Sequence, residues 1–412
     1  MSLLTVIAAY IHLSRFERSY LNVLVPSLVT GVPACYLLPL LYMRLFGIEG
    51  STYAFVYVYA ALAAETVAFV FAYTHTRRRT LRLPFTFSYQ NFTFLGVACL
   101  VLGVVVFSTL LLQFHEFLFD PRQIYINTRV GFGPQFFLSS TFAYLAIILI
   151  LFSRRSPLAK ASVIVIASGL LLLHGSKAQM VNVIFILILY QVYVRGRKVG
   201  FRGALVSALS IGCFVFLLFA TTMRLGESSG EVLESISNYS DYTRNAMLVI
   251  DSHIPLQYGR LTLESNTISL VPRALMPNKP RNFGSFFLTD QLYPEWFDAD
   301  TSPAFGVGVQ YADFGALAIV YIVLFALFKG WLTRAFVNRL QSYKHPGDLF
   351  VVAFLCDVSV FPIGIGWFLP EALLVAMVLR YLSKLGANRV CLERPSMAYV
   401  SSSSPRTANG IS

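Results

Sequence analysis

The stretch NFTFLGVACLVLGVVVFSTLLLQF, residues 91–114, contains no charged side chain and is bounded by Asn91 and Gln113. A hydrocarbon core of about 30 Å is crossed by about 20 apolar residues in helical conformation, so this run reads as a transmembrane helix. Similar runs recur on both sides of it, near 20–43, 52–74, 134–153, 158–173, 179–194, 203–222, 305–328, 349–367 and 370–385, which makes about ten helices. None shows the alternation of a barrel strand, and a lipid-facing segment has to satisfy its backbone polar groups internally. Composition agrees: 56% of the 412 residues are hydrophobic and only 13% are charged, which a soluble domain of this length does not show. The chain reads as an all-α polytopic membrane protein. The run Leu3–Leu13 is too short to span and reads as interfacial, or as an extension of the first bundle helix. No positive start and small-residue cleavage site flank it, so no cleavable signal is expected.

One interruption breaks the pattern. From Met223 to Pro303 the chain is polar, with ten carboxylates and six Lys or Arg. Four regions follow: an N-terminal membrane bundle of about seven helices (1–222), a long polar loop (223–303), about three further membrane helices (304–385), and a Ser-rich tail (386–412) expected to be disordered. Lys and Arg are retained on the cytoplasmic side of short loops. The segments 1–19, 76–90, 154–160, 195–202, 329–347 and 380–412 hold 22 of them, and the alternate short loops hold four. That split predicts both termini in the cytoplasm and the loop 223–303 outside. The net charge of +12 is therefore a topology signal, and the cytoplasmic loops are too short for a nucleic-acid arm.

The five cysteines lie in apolar segments or, as Cys391, in the tail, so no disulfide framework is expected in the outer part. The six His residues show no ligand spacing, and neither a protein-built metal site nor a cofactor motif is expected.

Chemistry is sought in three places. In Val271-Pro-Arg-Ala-Leu-Met-Pro-Asn-Lys-Pro-Arg281, prolines 272, 277 and 280 forbid a regular helix and present Arg273, Lys279 and Arg281 from a stiff loop. Such cations suit phosphate oxygens, or are solvated and paired with Glu264, Asp290 or Glu295. In Leu173-His-Gly-Ser-Lys-Ala-Gln179, the Ser176 and Gln179 spacing is that of a capping box, which puts Lys177 in a first helical turn. A cation there opposes the helix dipole; it either holds an anion or snorkels to the headgroups. The third stretch, Asp300 to Gly315, is Gly-rich and leads through Asp313 into a membrane helix. Tyr239, Tyr242, Tyr258, Tyr293 and Trp296 could stack on sugar rings or simply occupy the interface.

Taken in order, Gly175-Ser176-Lys177, Pro272 to Pro280 and Gly308 to Gly315 resemble motifs of the bacterial oligosaccharide repeat-unit polymerases, the Wzy type that builds O-antigen or exopolysaccharide. The resemblance covers roughly 170–330. In this chain Lys177 stands where Arg is more usual, Gln310 where an acid often precedes the Tyr, and Asp313 where Asn is common. The resemblance implies a helical fold similar to class C glycosyltransferases, in the bacterial cytoplasmic (inner) membrane. It implies glycosyl transfer between undecaprenyl-pyrophosphate-linked oligosaccharides at the outer face of that bilayer, with a chain-length regulator and a flippase as partners. Cations then hold the leaving pyrophosphate: Arg273, Lys279, Arg281, Lys177, Arg244 and Arg260. A carboxylate takes the acceptor proton: Asp313, Glu264 or Asp300.

Two alternatives stand beside this. An O-antigen ligase would carry a His-Asn or His-Ser pair in a late outer loop, whereas His253 is followed by Ile254-Pro255. A transporter or flippase would use intramembrane acids, and Glu65 and Asp357 lie near the middle of apolar helices, where an unpaired charge costs at least about 2.5–3.5 kcal/mol.

Overall fold

The computed structural model describes residues 1–47, 50–76, 92–117, 121–128, 132–222, 240–268, 271, 276–356, 375 and 377–379. The side chains of Pro121, Arg122, Ile126, Lys177 and residues 215–222 lie outside that description. Among the described residues every regular element is helical, and five helices are long and apolar enough to cross a membrane, with four shorter apolar ones beside them.

The helix α1 (Ser2–Glu17) ends at Arg18, which turns left-handed. α2 (Val25–Phe46) contains one wide π turn at Pro33–Leu37, because Pro33 has no N–H to give the preceding turn and its ring crowds the carbonyl four residues back. α3 (Thr52–His75) starts where the Ser51 hydroxyl accepts the Ala54 N–H at 3.1 Å. Then come α4 (Phe92–Gln113), the short α5 (Pro121–Thr128), α6 (Gly133–Phe152), α7 (Pro157–Leu173), α8 (Lys177–Leu189, continued by a π turn to Val194) and α9 (Phe201–Thr222). The polar region folds as α10 (Asp241–Asp251), α11 (Arg260–Asn266), α12 (Ser285–Leu292) and α13 (Pro294–Asp298). α14 (Gly308–Phe314), α15 (Ala318–Tyr343) and α16 (Pro346–Leu355) return to the membrane.

The sequence-predicted spans thus appear as helices as far as the described residues reach; Asp357 and most of 370–385 lie outside them. α6 is the central helix, with every residue from Ala143 to Phe152 buried, as a helix apolar all round should be. α15 crosses α3 closely at Gly330, where a Cβ would collide with the Phe69 carbonyl oxygen. Only a residue without a side chain lets α15 lie this near α3.

Three expectations change. α1 does not lie flat at an interface: the Ser2 hydroxyl donates to the Tyr59 carbonyl at 2.7 Å, while the Tyr73 hydroxyl donates to Glu17 at 2.9 Å. α1 therefore runs along α3 with Ser2 toward the Thr52 end, which is also the end that holds the polar region through Ser51 and Asp251. An N-terminus and a loop 223–303 on opposite sides of the membrane, as expected from the charge count, therefore do not both hold. Second, the predicted span 305–328 is broken at Gly315, whose φ of 59° is a left-handed value, and α15 then runs on to Tyr343. Third, Arg334 and Arg339 belong to that helix and not to a loop. Arg334 pairs with Glu17 at 2.8 Å and Arg339 with Asp348 at 2.6 Å, all four buried. Charges withdrawn from water this far persist only when paired and hydrogen-bonded.

Candidate active site

The polar region is built on a small apolar nucleus of Val249, Leu261, Leu288, Phe305, Val309 and Ala312. It is fastened to the bundle at two points. The Asp251 carboxylate accepts the Ser51 N–H at 2.7 Å and the Ser51 hydroxyl at 2.6 Å, which fixes the end of α10 to the start of α3. Asn245 donates to the Ala304 carbonyl at 2.9 Å and accepts the Tyr293 hydroxyl at 2.8 Å, which ties α10 to the segment before α14. No local pattern in the sequence pointed to Asp251 or Asn245. Their partners are 200 and 48 residues away.

Asp313 is 0% exposed. Its two oxygens accept the N–H groups of Leu261 at 3.0 Å and Thr262 at 2.7 Å, and its carbonyl accepts the Tyr258 N–H at 2.9 Å. The first N–H groups of a helix have no partner within it, and Asp313 supplies one for α11. The acid lies near the C-terminal end of its own helix α14, so its role is not to favour that helix's dipole.

α11 in turn carries two expected site residues. Arg260, about half exposed, lies 3.7 Å from Glu264 one turn later and over the Phe287 ring at 4.8 Å. Glu264 also accepts the Gly284 N–H at 2.8 Å, so the helix is bonded to the loop that follows the prolines. That loop turns at Pro277–Asn278. Lys279 donates to the Val271 carbonyl at 3.0 Å and lies over Phe283. Arg281 donates to Asp300 at 3.1 Å and to the Phe297 carbonyl at 3.2 Å. Glu264, Asp290 and Glu295 were expected to pair with the cations of the proline loop; instead Asp300 pairs with Arg281, and Glu264 pairs with Arg260, which lies outside that loop. The Arg281–Asp300 pair is half exposed on both sides, so it opens at small cost.

Arg244 belongs elsewhere. It pairs with Asp241 at 3.3 Å and sits 4.2 Å over the Tyr42 ring, against α2. Burial pushes the Asp241 carboxyl above the usual carboxylate range, and Arg244 opposes that rise. Arg273, Tyr239 and the Lys177 side chain lie outside the described residues. The backbone does begin α8 at Lys177 with Ser176 as its cap residue, but the Ser176 side chain makes no cap hydrogen bond and the buried Gln179 Oε1 has no partner. The capping-box spacing is present without its bonds.

Arg260 with Glu264, Lys279 with the Val271 carbonyl, and Arg281 with Asp300 therefore form three bonded groups on the polar region, which is fastened to the bundle at Ser51. Two of the three groups set a cation beside a carboxylate. Such a surface can hold a polyanion and accept a proton beside it. Trp296, Tyr293 and the exposed Tyr258 lie on the same region.

No protein-family model matches the chain, and no solved structure matches it. Two curated proteins do. The O-antigen polymerase of Salmonella typhimurium (strain LT2) is 32% identical over 381 residues, covering 92% of this chain and 93% of that protein. The O-antigen polymerase of Salmonella typhi matches with the same identity and coverage. A likeness of 32% sustained over 92% of the chain extends through bundle and polar region alike, and the chain belongs to the O-antigen polymerase family.

Proposed function

We propose that this protein joins undecaprenyl-pyrophosphate-linked oligosaccharide repeat units into O-antigen at the outer face of the bacterial cytoplasmic membrane. The observation that carries the reading is the likeness to O-antigen polymerases along 92% of the chain. The polar region fastened to one end of a membrane bundle, with its cations and carboxylates, agrees with it. In this reading the loop 223–303 is extracytoplasmic, as the Lys and Arg distribution predicts, and a chain-length regulator and a flippase act beside the enzyme.

The reaction asks little covalent chemistry of the protein. An acceptor sugar hydroxyl forms a bond to the anomeric carbon of the donor, the bond from that carbon to the pyrophosphate oxygen breaks, and the hydroxyl proton passes to a carboxylate. Negative charge grows on the leaving pyrophosphate, so cations placed there stabilise the transition state more than the ground state. Arg260, Lys279 and Arg281 fill this role, with Arg273 and Lys177 as further cations. Glu264 is the base: it is partly exposed, is oriented by Gly284, and lies beside a cation without a tight contact. Asp300 is the alternative base. Asp313 has both oxygens committed and no exposure, and it acts by holding α11 in place.

The test is incubation of purified protein in lipid with lipid-linked repeat units, followed by gel analysis. A ladder of chain lengths is expected without any other protein. In a parallel incubation with lipid A core added, transfer to that acceptor with no ladder in either reaction would instead make it a ligase. Cysteine labelling at Ser229 and Asn282 checks the topology: labelling only from the cytoplasmic side would overturn the outer placement of the site.

A further inference from the structure

We propose that residues Pro255 to Leu263 form an apolar foot that rests in the headgroup region of the bilayer leaflet adjoining the polar domain. Its occupant is phospholipid.

The membrane level is set by α15. Leu317, just before it, and Val320, Leu324, Phe328 and Trp331 along it are exposed, spaced so that they lie on one helical face. On a transmembrane helix such a face meets lipid. The stripe begins at Leu317, which is 72% exposed, immediately after the break at Gly315. Tyr57 of α3 donates to the Gly315 and Ala316 carbonyls at 3.4 and 3.3 Å, which ties this level of the break to the neighbouring helix.

The foot lies against that same level. The Gln257 and Tyr258 N–H groups donate to the Ala312 and Asp313 carbonyls, both at 2.9 Å. Leu256 packs beside Gly315, and Gly259 beside the Phe314 ring. With its backbone held in this way, the segment leaves Leu256, Tyr258 and Leu263 exposed at 44%, 83% and 64%. Tyr258 adopts a left-handed φ of 53°, uncommon for an aromatic residue. Three exposed apolar side chains beside a lipid-facing stripe continue its surface. Tyr and Leu there have the composition of an interfacial anchor.

Lipid contact at this foot is independent of the reaction performed beside it. Tyr258→Cys, and separately Leu263→Cys, are labelled with a nitroxide in protein whose Cys99, Cys213 and Cys391 are Ser; Cys35 and Cys356 are buried. The labelled proteins are placed in phosphatidylethanolamine and phosphatidylglycerol vesicles. Collision with oxygen is compared with collision with a water-soluble nickel chelate, and Asn282→Cys provides the aqueous reference. The oxygen-to-nickel ratio at 258 and 263 is expected to exceed that at 282 several-fold. A ratio equal to that at 282 means the foot stands in water and overturns the proposal. Low collision rates with both reagents mean another protein surface or a second copy covers it, which overturns it equally.

Discussion

The carboxylate of Asp313 caps α11 by accepting the Thr262 N–H at 2.7 Å, and the two residues are 51 positions apart. A helix of the returning membrane segment thus supplies the N-terminal partner that a short surface helix lacks. Arg260 and Glu264 inherit their placement from it. The Asp313 oxygen that meets Leu261 completes the pair at 3.0 Å.

Asp313→Ala should leave two buried N–H groups without acceptors, a loss of about 1–3 kcal/mol for each. Asp313→Asn should be intermediate, since the amide oxygen accepts one N–H while its NH₂ confronts the other. Thermal unfolding of the purified variants gives the order wild type, Asn, Ala. Equal midpoints for wild type and Ala would mean that the cap does not hold α11.

Glu264→Gln retains an oxygen for the Gly284 N–H and removes the charge. Membrane abundance should be unchanged while chain extension fails. Should the Gln variant still build full-length polymer, Glu264 is no base and Asp300 becomes the better candidate.

Arg281 and Asp300 separate binding from pairing. Asp300→Asn should change stability by about 0–1 kcal/mol, as for other exposed pairs, and Asn also tolerates the left-handed φ of 51° at this position. Arg281→Ala should shorten or abolish polymer with the protein still folded, and Arg281→Lys should rescue in part because charge returns without the fork. Wild-type ladders from Arg281→Ala would reduce the pair to surface decoration.

Lys177 is tested by charge. If it helps hold pyrophosphate at the start of α8, Lys177→Arg should remain active and Lys177→Glu should fail, although the acid suits the helix dipole by about 0.3–1 kcal/mol. Polymer from the Glu variant equal to wild type would leave a snorkelling lysine.

Uncharged apolar runs such as 91–114 made the bundle readable, because length and polarity alone decide them. Their ends were not readable where charge is satisfied at a distance. Lys329, Arg334 and Arg339 look like the close of a helix, yet α15 continues through all three, and the partner of Arg334 lies 317 residues upstream. The site was legible in part for the same reason. Cation-rich, proline-stiffened sequence pointed to Lys279 and Arg281, whereas the helical turn that joins Arg260 to Glu264 emerged only with the fold. The function of Asp313 as a cap for another helix depends on tertiary contact, which local sequence does not encode.

The buried pair of Glu17 and Arg334 gives the last prediction. The Arg334 Nη1 donates to Glu17 Oε1 at 2.8 Å and the Tyr73 hydroxyl donates to the same oxygen at 2.9 Å, so α1, α3 and α15 meet at one carboxylate. Removing only the cation in Arg334→Met strands a buried acid, and a loss of about 3–5 kcal/mol is expected. Removing both charges in Glu17→Gln with Arg334→Met should restore much of that loss, because the cost of the single change is mainly the uncompensated charge. Tyr73 can still donate to the amide oxygen. Thermal midpoints of the single and double variants in detergent decide it: a double variant less stable than Arg334→Met would mean that the pair contributes through packing and not through charge compensation.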